Sequence, residues 1–441
     1  MALLFVLASS NQAVFAQGRA ISIIRDAETE SLIKRFAEPL MKAAGLQRTT
    51  PRIYIVNDRR FNAFVIEDGS IFINYGTIIE SETPNALKAV LAHEIGHLAG
   101  GHIARIREQA EISGRMQIFA MLLGVGAAAA AAGSGASGEV SEMASAFILA
   151  TQSVGQNTLA AFRRSEESTA DAAGLRYLQA TGESGKGLVD VLETLAADQV
   201  RRAGANDYLR THPLAEDRLD QVRKTARANA NWNRGSSAAD TKALELVKAK
   251  LVGFLESQEV VLNRYPNADK SQAARYARLI TAYKSGAAVA AVAQMPRLVA
   301  ESPSNPYFQE LLGQMYFETG NATQALGPLK KAVSMAPEQT EIRVLYGQAL
   351  IDAGGAENLT EAAAQLNRVT REDPTSLRGF VLLSRAYAGL GQQGEASLAA
   401  AEAALVRGDK GTALGLARQA QQNLNPSSPA WLRADDILSL G

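Results

Sequence analysis

Prolines recur in the C-terminal half of this chain at a spacing that few folds produce. Pro303 and Pro337 are 34 residues apart, and Pro374 follows 37 residues later. Between the first two, small and apolar residues stand at regular offsets: Leu312, Gly313, Tyr316, Ala325, Leu329 and Ala332. A 34-residue period predicts a stack of helix pairs, in which small residues let the helices approach closely and each pair packs on the next.

Further copies of the pattern follow this unit. Their small and apolar positions are Gly347, Leu350, Ala362, Phe380, Leu383, Tyr387 and Ala396. The period and the offsets are those of tetratricopeptide repeats. We therefore predict that residues 241–441 form a tetratricopeptide-repeat α-solenoid, whose concave surface is suited to binding a protein partner.

The residues before this array need a core of their own, because 441 residues are too many for one ordinary domain. The stretch 229–240 is polar and rich in turn-forming residues. We predict a linker there and a first domain over residues 17–228.

A small β-sheet is predicted near the start of the first domain. Its strand-like runs are residues 52–56, 62–66 and 70–74. The last two runs are separated by Asp68-Gly69, a pair that is typical of a tight hairpin turn. Helical patterns occupy residues 26–45 and 84–106. The fold predicted for the whole chain is mainly α with a small β-sheet.

Composition excludes several classes of function. Lys+Arg and Asp+Glu each total 45, so the net charge is zero and no nucleic-acid surface is indicated. The chain has no cysteine, which excludes thiol nucleophiles, disulfides and Cys-ligated zinc. A metal site would have to use carboxylates and the four histidines: His93, His97, His102 and His212.

The first sixteen residues carry no charge and begin with an apolar run. Val14 and Ala16 are small residues at the −3 and −1 positions of a signal-peptidase site. Residues 1–16 are therefore predicted to be a signal peptide of an exported protein, although the usual positive segment is missing. An ordinary N-terminal apolar helix is the alternative.

Residues 116–132 form a second apolar stretch, rich in alanine and glycine. Its seventeen residues are at the lower end of the ~17–25 that span a bilayer. We expect a helix buried against the first domain or an element that rests on a membrane face, and the sequence leaves these two alternatives open.

His93-Glu94-Ile95-Gly96-His97 supplies two imidazoles four residues apart, inside a helical pattern that Thr83-Pro84 begins. At 100° per residue, both rings leave the same face of the helix and can bind one zinc ion. Glu94 lies beside them on that face, where it can act as a general base toward water.

A catalytic zinc needs a third protein ligand. His102 is nine residues from His93, which is half a turn around a continuous helix, so we expect a surface or helix-end histidine there. Glu167 and Asp171 are four residues apart and share a helix face. One carboxylate can bind the metal while the other accepts the free ring N–H of a ligand histidine.

With these residues identified, the chain resembles the metallopeptidase family of HtpX and the CAAX prenyl proteases. His-Glu-x-x-His is followed by Glu-x-x-Ala-Asp some seventy residues later, and the resemblance spans residues 26–225 and continues into the repeats. It implies one Zn²⁺ per chain, bound by His93, His97 and Glu167. It also implies that Glu94 is the base and that Asp171 orients a ligand histidine. Asn62-Ala63-Phe64 resembles a family motif as well.

His212 lies in Thr211-His212-Pro213, with Arg218 downstream. In isolation such a histidine is typical of a turn. The resemblance implies that His212 lies near the metal, either as a removable lid in the fourth coordination position or as a group that stabilises the oxyanion.

The function that we predict is an exported, periplasmic zinc endopeptidase that degrades misfolded or stalled polypeptides. By resemblance, its clients are outer-membrane β-barrel proteins and their assembly machinery, which the repeats would recruit. A substrate peptide is expected to add as a strand beside residues 70–74. The alternative is a repeat-based chaperone or scaffold whose peptidase domain is largely latent.

Overall fold

The computed structural model of the chain describes residues 14–16, 19–46, 51–66, 68–115, 139–201, 208–209, 212–213 and 216–441. Most of the predicted signal peptide (1–13) and the apolar stretch 116–132 lie outside these residues. No helix in the described ranges is both long and apolar enough to cross a membrane. The predicted class, mainly α with a small sheet, is confirmed.

The chain divides into two compact units. The first unit holds the described residues of Ala13–Ile23 and Leu32–Leu244, and the second holds Ile24–Ser31 and Glu245–Gly441. The predicted domain limits at 229–240 stay a prediction.

The first unit contains the six strands of the described residues, apart from Ile24 at the end of β3, and the first helices. The strands are β1 (Val14–Ala16), β2 (Arg19–Ile21), β3 (Ile23–Ile24), β4 (Ile53–Val56), β5 (Ala63–Val65) and β6 (Ile71–Asn74). The helices are α1 (Ala27–Ala43), which begins in the second unit, α2 (Tyr75–Glu80), α3 (Pro84–Gly100), α4 (102–115), α5 (Glu139–Ala180), α6 (Lys186–Arg201) and α7 (Glu216–Arg227).

The larger sheet has the strand order β3-β4-β6-β5, with β4 parallel and β5 antiparallel to β6. The predicted hairpin joins β5 and β6, and Gly69 supplies the positive φ (+82°) that the turn needs. The expected place of substrate addition at 70–74 is wrong, because β6 lies between two neighbours. Its four residues are all buried, as in a central strand, and β5 has an outer side to which a peptide could add.

Helix α3 begins and ends at well-defined caps. The Thr83 side chain accepts a hydrogen bond from the Ala86 N–H, and Pro84 takes the first helical position. Gly101 adopts a left-handed conformation (φ +63°) and ends the helix there. The predicted helix over 84–106 is therefore two helices, because the chain turns at Gly101 before α4 begins.

The polar stretch 229–240 packs against other parts of the first unit, to which it belongs. The Asn85 side chain donates to the carbonyl oxygen of Arg234 (3.1 Å), and Ser184 donates to that of Trp232 (2.7 Å). The Lys88 ammonium lies 2.8 Å from Asp240. These contacts fix the position of the segment against the N-terminal part of α3.

The second unit is an array of helix pairs. Its twelve helices are Ala238–Leu255 (whose first residues lie in the first unit), Gln258–Arg264, Gln272–Lys284, Ala288–Glu301, Pro306–Glu318, Ala322–Met335, Thr340–Ala353, Ala356–Glu372, Leu377–Gly389, Gln393–Val406, Lys410–Asn423 and Pro429–Leu438. A Cβ on Gly313 would lie 2.5 Å from Leu329, and one on Gly347 would lie 2.8 Å from Leu366. These glycines stand where paired helices touch, as the repeat pattern predicted.

A buried charge cluster holds residues 24–31 within the array. Lys250 Nζ lies 2.5 Å from Asp26, 3.7 Å from Glu28 and 3.6 Å from Glu310. Tyr276 donates a hydrogen bond of 3.1 Å to Glu28. Carboxylates outnumber the cation here, and burial, only partly offset by Lys250, raises the pKa of Glu28 and of Glu310 to about 7.

This excess of buried carboxylates predicts a pH-dependent stability of the second unit. Because Glu28 and Glu310 bind protons more readily in the folded chain, the free energy of unfolding should fall as the pH rises from about 4.5 to about 7. All four histidines lie outside this unit, so they do not mask the effect. Urea unfolding of a Trp232→Phe variant, followed by Trp431 fluorescence, measures it. Glu310→Gln should reduce the dependence, and a midpoint that rises over this range would contradict the prediction.

Candidate metal centre

Helices α3 and α5 cross at two glycines. A Cβ on Gly96 would lie 2.7 Å from the carbonyl oxygen of Ala170, and one on Gly174 would lie 3.2 Å from the backbone of Ala92. The absence of side chains at these positions lets the two backbones approach closely. The crossing brings the His-Glu-x-x-His residues of α3 against the carboxylates of α5.

Four buried side chains point their ligand atoms at one another: His93, His97, Glu167 and His212. His93 Nε2 lies 3.0 Å from His97 Nε2 and 3.3 Å from His212 Nδ1. Oxygens of Glu167 lie 3.1–3.3 Å from these nitrogens. These separations are close to the edge of about 3.3 Å of a tetrahedron with metal–ligand bonds of ~2.0–2.1 Å. The three imidazoles and one carboxylate therefore fit a zinc-sized cation.

Asp171 and Arg218 support this set from behind. Asp171 Oδ1 lies 2.8 Å from His93 Nδ1, which leaves the Nε2 lone pair facing the cluster. Arg218 donates to both oxygens of Asp171 and lies 3.0 Å from Glu167. Burial opposes the ionisation of Asp171, but Arg218 and His93 outweigh it and keep the pKa of this carboxyl below its usual value. The predicted partner of a ligand histidine thus lies in contact with His93.

Glu94 is completely buried beside the cluster. Neither of its carboxylate oxygens has a hydrogen-bond partner within the described part of the chain. Oε1 lies 3.6 Å from His212 Nε2. Burial raises the pKa of Glu94 above its usual value, because it disfavours the ionised form of the carboxyl group.

His212 is held by groups that the sequence analysis did not identify. Its ring stacks on that of Tyr208 with 4.5 Å between centroids, and its backbone N–H donates to the Tyr208 carbonyl (2.7 Å). An edge-to-face contact with Phe61 supports Tyr208 in turn. The four-residue spacing of Tyr208 and His212 is the one signal in the sequence that could have shown this pair.

The other ring nitrogen of His212 faces the free side of β5. Nε2 lies 3.3 Å from the carbonyl oxygen of Ala63. Asn62 and Ile66 bond the backbone of the β6 hairpin, so the alternate residue Ala63 directs its backbone groups outward. The His212 ring therefore lies between the ligand cluster and the outer side of this strand.

Of the two positions expected for His102, the helix end is correct, because His102 is the first residue of α4, and the surface is wrong. His102 is completely buried, and its Nδ1 lies 2.9 Å from Nδ1 of His97. The half-turn argument assumed a continuous helix, whereas the left-handed conformation of Gly101 ends α3 and turns the chain there. His102 consequently faces back toward α3.

Comparisons with known proteins match two separate parts of the chain. Residues 26–226 match the family model of peptidase family M48. Residues 297–427 match the model of the cytochrome c-type biogenesis protein H TPR domain. The predicted resemblance to a metallopeptidase followed by tetratricopeptide repeats is confirmed.

One of the similar proteins aligns with most of the chain, and others align with less than half of it. The β-barrel assembly-enhancing protease of Escherichia coli (strain K12) is 26% identical over 421 residues, which is 94% of this chain and 83% of the relative. Protease HtpX of Pseudomonas aeruginosa (strain LESB58) is 28% identical over 220 residues, 45% of this chain and 74% of its own. The structure of YrrB, described as a TPR protein with an unusual peptide-binding site, has 22% identity, a TM-score of 0.34 and coverage of 40% and 91%.

Proposed function

We propose that this chain, which carries an M48 peptidase domain followed by a tetratricopeptide-repeat domain, is a zinc-dependent endopeptidase of the periplasm. It would degrade misfolded or stalled polypeptides during outer-membrane protein assembly. One observation carries the proposal. Four buried side chains bring their ligand atoms together, with His93 Nε2 3.0–3.3 Å from atoms of the other three. They lie beside the buried carboxylate of Glu94, which has no hydrogen-bond partner in the described residues.

The residues that would hold the metal are His93, His97 and Glu167, with His212 in the fourth position at rest. A zinc ion held there supplies Lewis-acid polarisation of a carbonyl and lowers the pKa of water. Arg218 and Asp171 keep the negative charge of Glu167 and the tautomer of His93 in place.

A substrate peptide would lie along the outer side of β5. Ala63 and Val65 alternate with the residues that bond β6, so their N–H and C=O groups can pair with an added strand. In this structure His212 Nε2 lies within hydrogen-bond distance of the Ala63 carbonyl oxygen. The N–H of a substrate residue would take the place of His212 at this oxygen. The peptide bond to be cleaved would then lie next to Glu94.

Glu94 would carry the proton during hydrolysis. Its carboxylate takes a proton from the attacking water as the water oxygen bonds to the scissile carbonyl carbon. It then gives that proton to the leaving amine as the C–N bond breaks. The raised pKa of Glu94 suits both transfers. His212 has to leave the cluster first, because its ring fills the space between Glu94 and β5.

The names of the relatives support the proposed clients. The protease from E. coli is named for enhancing β-barrel assembly, and it aligns with 94% of this chain. The same role here would need a surface that recruits substrate or assembly machinery. The tetratricopeptide array is suited to that task, because such arrays present extended concave surfaces.

A repeat-based chaperone or scaffold is the second candidate function. It is favoured by the position of His212, which fills the ligand cluster and would keep the peptidase latent. The two functions can be separated by complementation, in cells that lack the protein and show an outer-membrane assembly defect. Rescue by the Glu94→Gln variant as complete as by the wild type would favour the chaperone.

The purified full-length chain should contain one zinc ion and cut an unfolded protein at internal bonds. In Glu167→Ala the zinc affinity should fall by more than ~10²-fold, since even the outer partners of zinc ligands contribute about 10–100-fold. Glu193→Ala is the matched control, because Glu193 pairs with Arg223 on the surface. Elemental analysis measures the zinc content, and mass spectrometry of the fragments shows which bonds are cut. Full zinc occupancy of Glu167→Ala, or release of terminal residues only, would refute the assignment.

A further inference from the structure

The Nδ1 atoms of His93 and His97 have partners of different kinds. That of His93 contacts a carboxylate, and that of His97 contacts another imidazole. Nδ1 of His102 lies 2.9 Å from Nδ1 of His97, and the two rings are nearly perpendicular (89°). On its other side, His102 Nε2 lies 3.1 Å from Glu166 Oε2, to which Arg105 donates a hydrogen bond of 2.6 Å. Two buried groups, His102 and Glu166, and the exposed Arg105 thus follow one another outward from His97.

Two glycines allow His102 to reach this position. Gly101 turns the chain with a positive φ, so that the first residue of α4 faces α3. A Cβ on Gly100 would lie 2.1 Å from His102 Nε2, within the space that the ring occupies. The ring therefore lies directly over Gly100.

The contact between the two rings has one consistent arrangement of protons. If His97 offers the Nε2 lone pair to the ligand cluster, its Nδ1 carries a proton and donates it. His102 Nδ1 must then be the acceptor, which places the proton of the neutral His102 ring on Nε2. That nitrogen lies 3.1 Å from the Glu166 carboxylate, whose charge favours the proton there, although His102 Nε2 makes no hydrogen bond within the described residues.

We propose that His102 is a positioning residue for the metal centre, which fixes the tautomer and the orientation of His97. This rests on the proposed zinc site. Asp171 does the same for His93 as a charged acceptor, whereas His102 does it as a neutral one beside the Glu166 carboxylate. Helix α4 and the carboxylate of Glu166, next in sequence to Glu167, thereby become part of the site.

Zinc affinity of the full chain, measured by competition with a chelator, tests the proposal without any assay of activity. His102→Leu removes the acceptor and should weaken zinc binding about 10–100-fold, the usual contribution of such outer partners. His102→Gln keeps an acceptor oxygen for His97 and a donor for Glu166, so its affinity should stay within about threefold of wild type. The Co²⁺ absorption spectrum should change in the Leu variant and be restored in the Gln variant.

A second pair of variants leaves His102 itself intact. Gly100→Ala should displace the ring and weaken zinc binding, whereas Gly114→Ala on α4, the helix of His102, should not, because a Cβ there meets nothing within 4 Å. Equal losses in His102→Leu and His102→Gln, or unchanged affinity in His102→Leu, would overturn the inference. A wild-type chain that binds no zinc would instead refute the proposed function and this inference with it.

Discussion

Replacing Glu94 by glutamine should abolish proteolysis while the metal and the fold remain. The glutamine amide has the size of the carboxylate but cannot accept a proton, so hydrolysis should slow by about 10²–10⁴-fold. Glu94 is not among the four ligand side chains, so zinc content should be unchanged. Because burial raises the pKa of Glu94, its ionised form costs stability near neutral pH, and the neutral amide should unfold at no lower temperature.

Cleavage of an unfolded protein by equal amounts of zinc-loaded wild type and Glu94→Gln measures this effect. Glu94→Asp is an informative companion, because it retains a base but withdraws it by one methylene. Its rate should lie between the other two. Cleavage by Glu94→Gln at the wild-type rate would show that another group takes the proton.

The local part of the site could be predicted because helical geometry decides it. Because His93 and His97 are four residues apart on a helix, they lie on one face of it. Thr83-Pro84 marks the start of that helix in the same short segment. The spacing of Glu167 and Asp171 gave a second shared face by the same rule. Which of the two carboxylates faces the cluster was implied only by family resemblance.

The expectation for His102 failed where the helix was assumed to continue. Gly100-Gly101 was a visible stop signal, since glycine is the usual residue in a left-handed helix cap. Once the chain turns, the angle counted from His93 no longer applies. A histidine that was expected at the surface or at a helix end therefore lies at the start of α4, buried against His97.

The strand order of the sheet could not be read from local patterns. Residues 62–66 and 70–74 were correctly placed in one hairpin, yet the parallel pairing of β4 with β6 joins residues far apart in the chain. The unbroken apolar run Ile71–Ile73 does indicate a strand covered on both faces. That indication would have favoured β5 as the outer strand.

His212→Ala decides between the two roles that the sequence left open. His212 Nδ1 lies 3.1 Å from both Glu167 oxygens and 3.3 Å from His93 Nε2, which is the position of a fourth ligand. Its Nε2 faces the Ala63 carbonyl, where a substrate strand would bond. A ring that fills both places has to leave before a peptide can enter. We therefore expect basal proteolysis to rise in His212→Ala.

The size of that rise follows from how rarely the ring leaves. The ring competes with the substrate for the site. If the ring is out of the site in ~10% of the molecules or less, removing the ring should raise the rate by about tenfold or more. If His212 instead stabilises the oxyanion, the same change should lower the rate by on the order of 10²-fold. A His212→Ala, Glu94→Gln double variant should be inactive, which shows that any gain comes from this site. Since the two roles change the rate in opposite directions, one assay on an unfolded protein separates them, and an unchanged rate would leave His212 with a structural role on Tyr208.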